Sequence, residues 1–351
     1  MLVVDDSAFM RKLIGDLISA QPDFTVIGFA RDGMDALAKI AALDPDIITL
    51  DLEMPNLDGM RTLERIMADA PRPVIVLSAG GEQFGDATVR ALELGAIDFV
   101  KKPAGPISLE LGAAAGQLKD ALNAAARATR PVARSAPARQ PAEYASGGSY
   151  VPGSLARRLV VIAASTGGPR ALAEIIPALP RQLGAAVVIA QHLPREFTRA
   201  LAERLDKTSS MHVCLAAERD MLRAGSVYVA AGGVDTVIDG AGGSAAFSCV
   251  ESTSASAPSA DVLFSSAAHV FGPDVIGVVL TGMGRDGAEG LDAIRRAGGH
   301  AIVQDKESSA IYGMPRAALM HAGADQIVSL SDVASAITGR VPRERVEWLT
   351  A

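Results

Sequence analysis

The chain has almost no cysteine: two in 351 residues, Cys214 and Cys249. They lie far apart and in no metal-ligand spacing. That excludes a disulfide framework and a cysteine-rich metal centre, and points to a reducing compartment. Excess positive charge is lacking too. A formal net charge of −7 argues against broad nucleic-acid binding, which needs cationic surface to replace phosphate counterions. No helix-turn-helix pattern is found either. No basic segment leads into a short apolar one at the start, and no uninterrupted apolar span is long enough for a bilayer. The expectation is a cytoplasmic protein with no direct membrane insertion. No fixed-period repeat occurs. What is present suits globular domains: 49% hydrophobic and 21% charged residues, at a length that fits two of them.

The sharpest change of character falls in Val160-Val161-Ile162-Ala163-Ala164-Ser165-Thr166-Gly167-Gly168-Pro169. An apolar run of strand character ends at Ser165 and a glycine pair turns the chain. Pro169 stands where a helix begins, since the first helical position tolerates proline. Ala171, Leu172, Ile175, Ile176 and Leu179 then keep helical spacing. A serine on such a turn sits at the carboxyl end of a strand, where open α/β sheets place their ligands, beside the free N–H groups of the next helix. Ser165 is therefore a candidate nucleophile.

Upstream, strand-like runs at Leu2–Val4, Thr25–Ala30, Asp46–Leu50, Val74–Leu77 and Ile97–Val100 alternate with helical spacing. That pattern predicts a doubly wound parallel sheet for residues 1–120. Asp5, Asp6 and Asp51 follow strand ends, so the fold brings them to one edge. Three carboxylates there repel one another unless a cation neutralises them, and an all-oxygen site suits Mg²⁺. Ser78 and Lys102 add a hydroxyl and an ammonium at the same edge. A carboxylate that accepts a phosphoryl group needs such help. A last Ala-rich helix, through Leu109, Leu111, Leu118 and Leu122, leads into a Pro-, Ala-, Arg-, Ser- and Gly-rich stretch from about Arg130 to Arg158. Residues 121–158 are thus read as a helix extension and a flexible, solvated linker.

A second domain, residues 159–341, again alternates strands and helices. A β-hairpin is expected around the turn Asp239-Gly240-Ala241-Gly242-Gly243. Ser165, His192 and Asp286 each follow a strand end. A serine needs a base to take its proton, and a histidine base works best when a third group orients it. The other histidines, His212, His269, His300 and His321, suit structural positions. The surrounding pattern is not the G-x-S-x-G elbow, and the order Ser, His, Asp matches none of the familiar triads. A rival lies in the same domain. Gly282-Met283-Gly284-Arg285-Asp286-Gly287 fits G-x-G-x-x-G after a strand, with Asp305 at the end of the next one, as in dinucleotide-binding folds. Against it, an aspartate inside the loop would face the pyrophosphate.

Residues 1–120 resemble the receiver domain of response regulators, through Val3-Val4-Asp5-Asp6-Ser7, Leu50-Asp51-Leu52-Glu53-Met54-Pro55, Val76-Leu77-Ser78-Ala79 and Phe99-Val100-Lys101-Lys102-Pro103. The resemblance implies Asp51 as phosphoacceptor, Asp5 and Asp6 as further Mg²⁺-binding acids, and supporting roles for Ser78, Lys102 and the switch aromatic Phe99. Receivers usually carry several residues before the first strand. Here Met1 abuts it, a departure that leaves open an upstream start or a weakened domain.

From Val160 onward the chain resembles the CheB protein-glutamate methylesterases of chemotaxis. The matching residues are Ala164-Ser165-Thr166-Gly167-Gly168-Pro169, Gln191-His192-Leu193-Pro194, Pro258-Ser259-Ala260-Asp261-Val262, Thr281-Gly282-Met283-Gly284-Arg285-Asp286-Gly287 and Tyr312-Gly313-Met314-Pro315. The implied fold is α/β, with two doubly wound, mainly parallel domains: a flavodoxin-like receiver, then a Rossmann-like three-layer esterase domain with a hairpin. The resemblance implies Ser165 as nucleophile, His192 as base and Asp286 as its orienter, with Thr166 and the Met283 N–H at the oxyanion. It also implies hydrolysis of glutamate γ-methyl esters, and deamidation of selected glutamines, on the cytoplasmic helices of chemoreceptors. No cofactor is expected in that domain. Control would come from a histidine kinase that phosphorylates a receiver covering the cleft. The alternative is a receiver-regulated nucleotide-binding or docking module without hydrolase activity.

Overall fold

The structure is a computed structural model that describes residues 1–78, 85–102, 109–128, 154–240, 244–252 and 257–341. Linker residues 130–153, turn residues 241–243 and the motif residues Ala79 and Pro103 lie outside them. The chain divides into two compact units, Met1–Pro137 and Ala138–Ala351.

The first unit runs β1 (Leu2–Val4), α1 (Ala8–Ser19), β2 (Gly28–Ala30), α2 (Gly33–Leu43), β3 (Ile48–Asp51), α3 (Gly59–Asp69), β4 (Val74–Ser78), α4 (Gly85–Leu94), β5 (Asp98–Lys101) and α5 (Leu109–Arg127). The strands form one parallel sheet in the order β2-β1-β3-β4-β5. Strands β1, β3 and β4 are buried throughout, which is why they read as continuous apolar runs rather than alternating ones. Side chains of Ser7, Asp32 and Asp58 cap α1, α2 and α3 by accepting free backbone N–H groups. The expected strand at Thr25–Ala30 is shorter than its apolar pattern suggested. The Thr25 carbonyl takes the Met1 amino group at 2.7 Å and the Ile27 N–H goes to Met1 O, so the sheet ladder starts only at Gly28.

The second unit continues with β6 (Leu159–Ala164), α6 (Gly168–Ala178), β7 (Ala186–Gln191), α7 (Arg195–Thr208), β8 (His212–Leu215), β9 (Ser226–Val229), β10 (Val234–Asp239), β11 (Ala246–Glu251), α8 (Ala260–Phe271), β12 (Val275–Val279), α9 (Ala288–Arg296), β13 (His300–Gln304), α10 (Met314–His321), β14 (Gln326–Val328) and α11 (Leu330–Arg340). Seven strands form one parallel sheet in the order β14-β13-β12-β6-β7-β9-β8, and β10 and β11 form a separate antiparallel hairpin. The helices that connect the parallel strands pack in two groups: α6 packs with α7 and α11, and α9 packs with α8 and α10. Every residue of β6 is fully buried, with Leu159, Val160, Val161 and Ile162 each contributing about 1.5–3 kcal/mol. On α8, Ala260, Leu263, Phe264, Ala267 and Phe271 form the buried stripe. Gly290 lets α9 approach it, since a Cβ there would stand 2.5 Å from Phe264 Cβ.

Candidate active site

In the larger sheet the strand order reverses at β6. Its neighbour on one side is β7, the next strand in sequence, and on the other is β12. Open α/β sheets bind ligands in the crevice beyond such a switch point. Ser165 follows β6, His192 follows β7 and Asp286 lies beyond β12, so the three predicted residues share one crevice. His192 Nε2 lies 2.7 Å from Asp286 Oδ2. The carboxylate accepts, so Nε2–H donates and Nδ1 is the ring nitrogen left to take a proton. Among the described residues no hydrogen bond joins Ser165 Oγ to that ring; such contacts tighten when substrate arrives.

Asp286 has more partners than the ring. It accepts from Ala260 N at 2.7 Å, Asp261 N at 2.9 Å, Ser259 Oγ at 3.1 Å and Gly287 N at 3.0 Å. The first two are free N–H groups at the start of α8, where a negative charge is stabilised. Burial alone would raise the Asp286 carboxyl. The bonds from His192 and those two N–H groups outweigh it and hold the acid well below the ordinary carboxylate range. The buried carboxylate of Asp235, on the hairpin, fixes the start of α8 by accepting Ser259 N at 2.7 Å.

The capping is reciprocal. Asp261, in the first turn of α8, accepts Gly290 N in α9 at 2.7 Å. Burial pushes the Asp261 carboxyl up to about 6, and the nearby Asp286 and Glu289 charges add to it. For an acid, a raised folded-state pKa means that ionisation costs stability. The cost is absent below the unfolded value near 3.8, grows between there and about 6, and is complete above. Asp261→Asn keeps an acceptor for Gly290 and removes the charge. It is expected to raise the melting temperature by about 2–4 °C at pH 8, with the gain vanishing near pH 4. Thermal melts across that range check it.

The turn that carries Ser165 is held by its backbone. Ser165 N–H donates to Thr281 O at 3.1 Å, Ser165 O accepts Gly168 N at 2.8 Å, and Thr166 O accepts Thr281 Oγ1 at 3.0 Å. Gly167 has a φ of +78° and opens α6. Among the described residues, no acceptor takes the N–H of Thr166 or of Met283, which leaves both free to hold a developing oxyanion. One glycine of the supposed dinucleotide loop packs directly on this site. A Cβ on Gly282 would stand 2.8 Å from Ser165 Cβ and 2.3 Å from Met314 Sδ. Asp305 turns back on its own loop, accepting Ser308 N and Oγ at 2.9 and 2.6 Å, and does not face that loop as a ribose ligand would. Of the other histidines, His212 pairs with Asp206 and His300 with Asp325, while His269 and His321 are exposed in last helical turns.

The smaller unit gathers its own set. Asp5, Asp6 and Asp51 each offer an oxygen within 4.8 Å of the others. Lys102 Nζ lies 2.8 Å from Asp5 Oδ2 and 2.7 Å from Asp51 Oδ2. Burial raises the Asp51 carboxyl, and Lys102 does not fully offset it; the two acids in turn raise Lys102 despite its own burial. Asp5 Oδ2 is buried with the ammonium beside it but no directed hydrogen bond. A hard, six-coordinate cation with oxygen ligands fits such a donor set. Ser78 Oγ pairs with Thr88 Oγ1 at 3.0 Å, and Phe99 is half-buried on β5.

Known proteins resemble both units. Residues 160–337 match the family model described as CheB methylesterase, and residues 1–111 match the response regulator receiver domain. A protein named protein-glutamate methylesterase/protein-glutamine glutaminase from Symbiobacterium thermophilum is 44% identical over 350 residues, 97% of this chain and 96% of its own. One of the same name from Bacillus subtilis is 40% identical over 355 residues, 99% of both. The crystal structure of the Thermotoga maritima CheB methylesterase catalytic domain aligns with a TM-score of 0.51 at 35% identity, over 52% of this chain and 97% of that one.

Proposed function

Since the chain belongs to the CheB methylesterase family and carries a receiver domain, we propose that Ser165, His192 and Asp286 hydrolyse glutamate γ-methyl esters on chemoreceptor helices. The enzyme is a protein-glutamate methylesterase and protein-glutamine glutaminase acting in chemotactic adaptation. The observation that carries the residue assignment is the His192–Asp286 pair at 2.7 Å in the crevice that receives Ser165.

In the proposed reaction, Ser165 Oγ attacks the γ-carbonyl carbon while His192 Nδ1 takes its proton. The carbonyl oxygen becomes an oxyanion held by the N–H groups of Thr166 and Met283. As the tetrahedral carbon collapses, the C–O bond to the methoxy group breaks and His192 returns the proton, so methanol leaves. Water, activated by the same ring, then releases the glutamate carboxylate and free serine. A glutamine side chain follows the same course with ammonia as leaving group. Asp286 keeps its charge throughout and stabilises the imidazolium. Methanol release from methylated receptor helices by the full chain tests the reading, and a folded protein with no release overturns it. The dinucleotide reading predicts NADH binding; the loop it relied on belongs to this site.

In the receiver, Asp51 is the phosphoacceptor, with a chemotaxis-type histidine kinase as donor. Asp5, Asp6 and Asp51 would hold Mg²⁺, which supplies neutralising charge during transfer. Lys102 sits against Asp51, where it can pair with a transferred phosphoryl oxygen; Ser78 ends β4 at the same edge, and Phe99, on β5, would serve as the switch aromatic. The partners and the cleft-covering control belong to this proposal, as does a cytoplasmic site of action; among the described residues no helix is long and apolar enough to cross a membrane. Acetyl phosphate with Mg²⁺ is expected to raise methanol release by the parent. The ratio of stimulated to unstimulated rate should fall to about one in Asp51→Asn and in the parent treated with EDTA. Equal stimulation of variant and parent would refute the gating.

A further inference from the structure

Gln191, the last residue of β7, is 1% exposed and has no part in the reaction as written. Its side-chain amide nevertheless joins two catalytic residues. Nε2 donates to Ser165 O at 3.0 Å and to His192 O at 3.3 Å. Both are carbonyls and can only accept, so the NH₂ must face them and the orientation of the amide is fixed. Oε1 then points the other way, buried and without a hydrogen-bond donor. It lies so close to α6 that a Cβ on Gly168 would stand 1.9 Å from it. Packing alone does not call for this group. A methionine fills similar volume and strands no buried oxygen. The amide costs stability, and what it does in return is hold the nucleophile's turn and the base's loop to one point.

We propose that Gln191 is a positioning residue that sets the distance between Ser165 and His192. The inference rests on the reaction proposed above. The β6–β7 ladder also joins the two segments, His192 N–H donating to Ala164 O beside Ser165, and Thr281 holds the turn from the other side; the Gln191 amide alone reaches the carbonyls of both Ser165 and His192 among the described residues. Loss of the amide therefore leaves two loops that fold correctly and meet at the wrong spacing. A misplacement of about 1 Å at a reacting pair lowers rate by up to about a hundredfold.

The test compares full-length parent, Gln191→Met, Gln191→Glu and Ser165→Ala on methylated receptor helices, following methanol. A further variant, Val333→Ala, opens a cavity at a fully buried position of α11 outside the catalytic loops. Gln191→Met is expected to lose about tenfold to a hundredfold in kcat, with KM within about twofold. Val333→Ala should keep the parental kcat while losing at least as much melting temperature, which separates positioning from general destabilisation. Gln191→Glu has similar shape and, held protonated by burial, one O–H where the amide has two N–H groups, so it cannot bridge both carbonyls and gives the same loss if the Met variant fails to fold. Parental kcat in either folded Gln191 variant, or an equal kcat loss in Val333→Ala, overturns the inference. Parental activity in Ser165→Ala would instead overturn the reaction on which it rests.

Discussion

Ser165→Ala is expected to lower kcat for methanol release by at least about 10³-fold while the melting temperature stays within about 1 °C of the parent. The two halves of that statement have separate causes. The lost atom is the nucleophile, so no acyl-enzyme forms and only the oxyanion donors and substrate positioning remain. The fold does not notice, because every tie that holds the turn uses the backbone or Cβ. Ser165 N–H still reaches Thr281 O, Ser165 O still accepts Gly168 N and Gln191 Nε2, and Cβ still packs on Gly282. Paired measurements of methanol release and thermal unfolding decide the matter. A variant that releases methanol at the parental rate would remove Ser165 from the mechanism.

Asp286→Asn is expected to lower kcat by about 10³–10⁴-fold and, unlike the serine variant, to lower the melting temperature by several degrees. An amide has one acceptor where the carboxylate has two. The carboxylate takes His192 and Ala260 on Oδ2, and Asp261, Gly287 and Ser259 on Oδ1. If the amide oxygen faces Asp261 and Gly287, the NH₂ faces the Ala260 N–H and the His192 ring. Two donors then oppose each other at the start of α8, and the ring must turn its lone pair to Nε2, leaving Nδ1 protonated and useless as a base. A ¹⁵N spectrum of the imidazole reads the tautomer directly, beside kcat. An unchanged tautomer with lost activity would show that Asp286 acts by charge alone.

Much of this architecture was legible because apolar runs and turn residues say where strands end. The run Val160–Ala164 followed by a glycine pair located the nucleophile's turn. His192 and Asp286 were equally visible as strand-end residues. What the chain does not display is strand order. That β12, more than a hundred residues after β6, returns to its side is what makes the three residues one site, and only the resemblance to known esterases anticipated it. The short strand β14, with only Ile327 and Val328 apolar, left no run to read. The loop Gly282–Gly287 offered a rival reading for a physical reason: a backbone passing close to a ligand and one passing close to Ser165 both need glycine. Gln191, Asp235 and Asp261 were silent as functional residues. A buried polar side chain shows its purpose only through the carbonyls and N–H groups it meets, and those come from distant segments.

The cap that Asp286 provides for α8 makes the ways of losing this activity unequal. A lineage freed from the need to demethylate can discard Ser165 at no structural expense, whereas discarding Asp286 strips two N–H groups of their acceptor and loosens a packed helix pair. Drift should therefore erase the serine first and spare the aspartate. In any relative that has ceased to be an esterase, an aspartate at the place of Asp286 testifies to an intact fold, and only the serine testifies to catalysis.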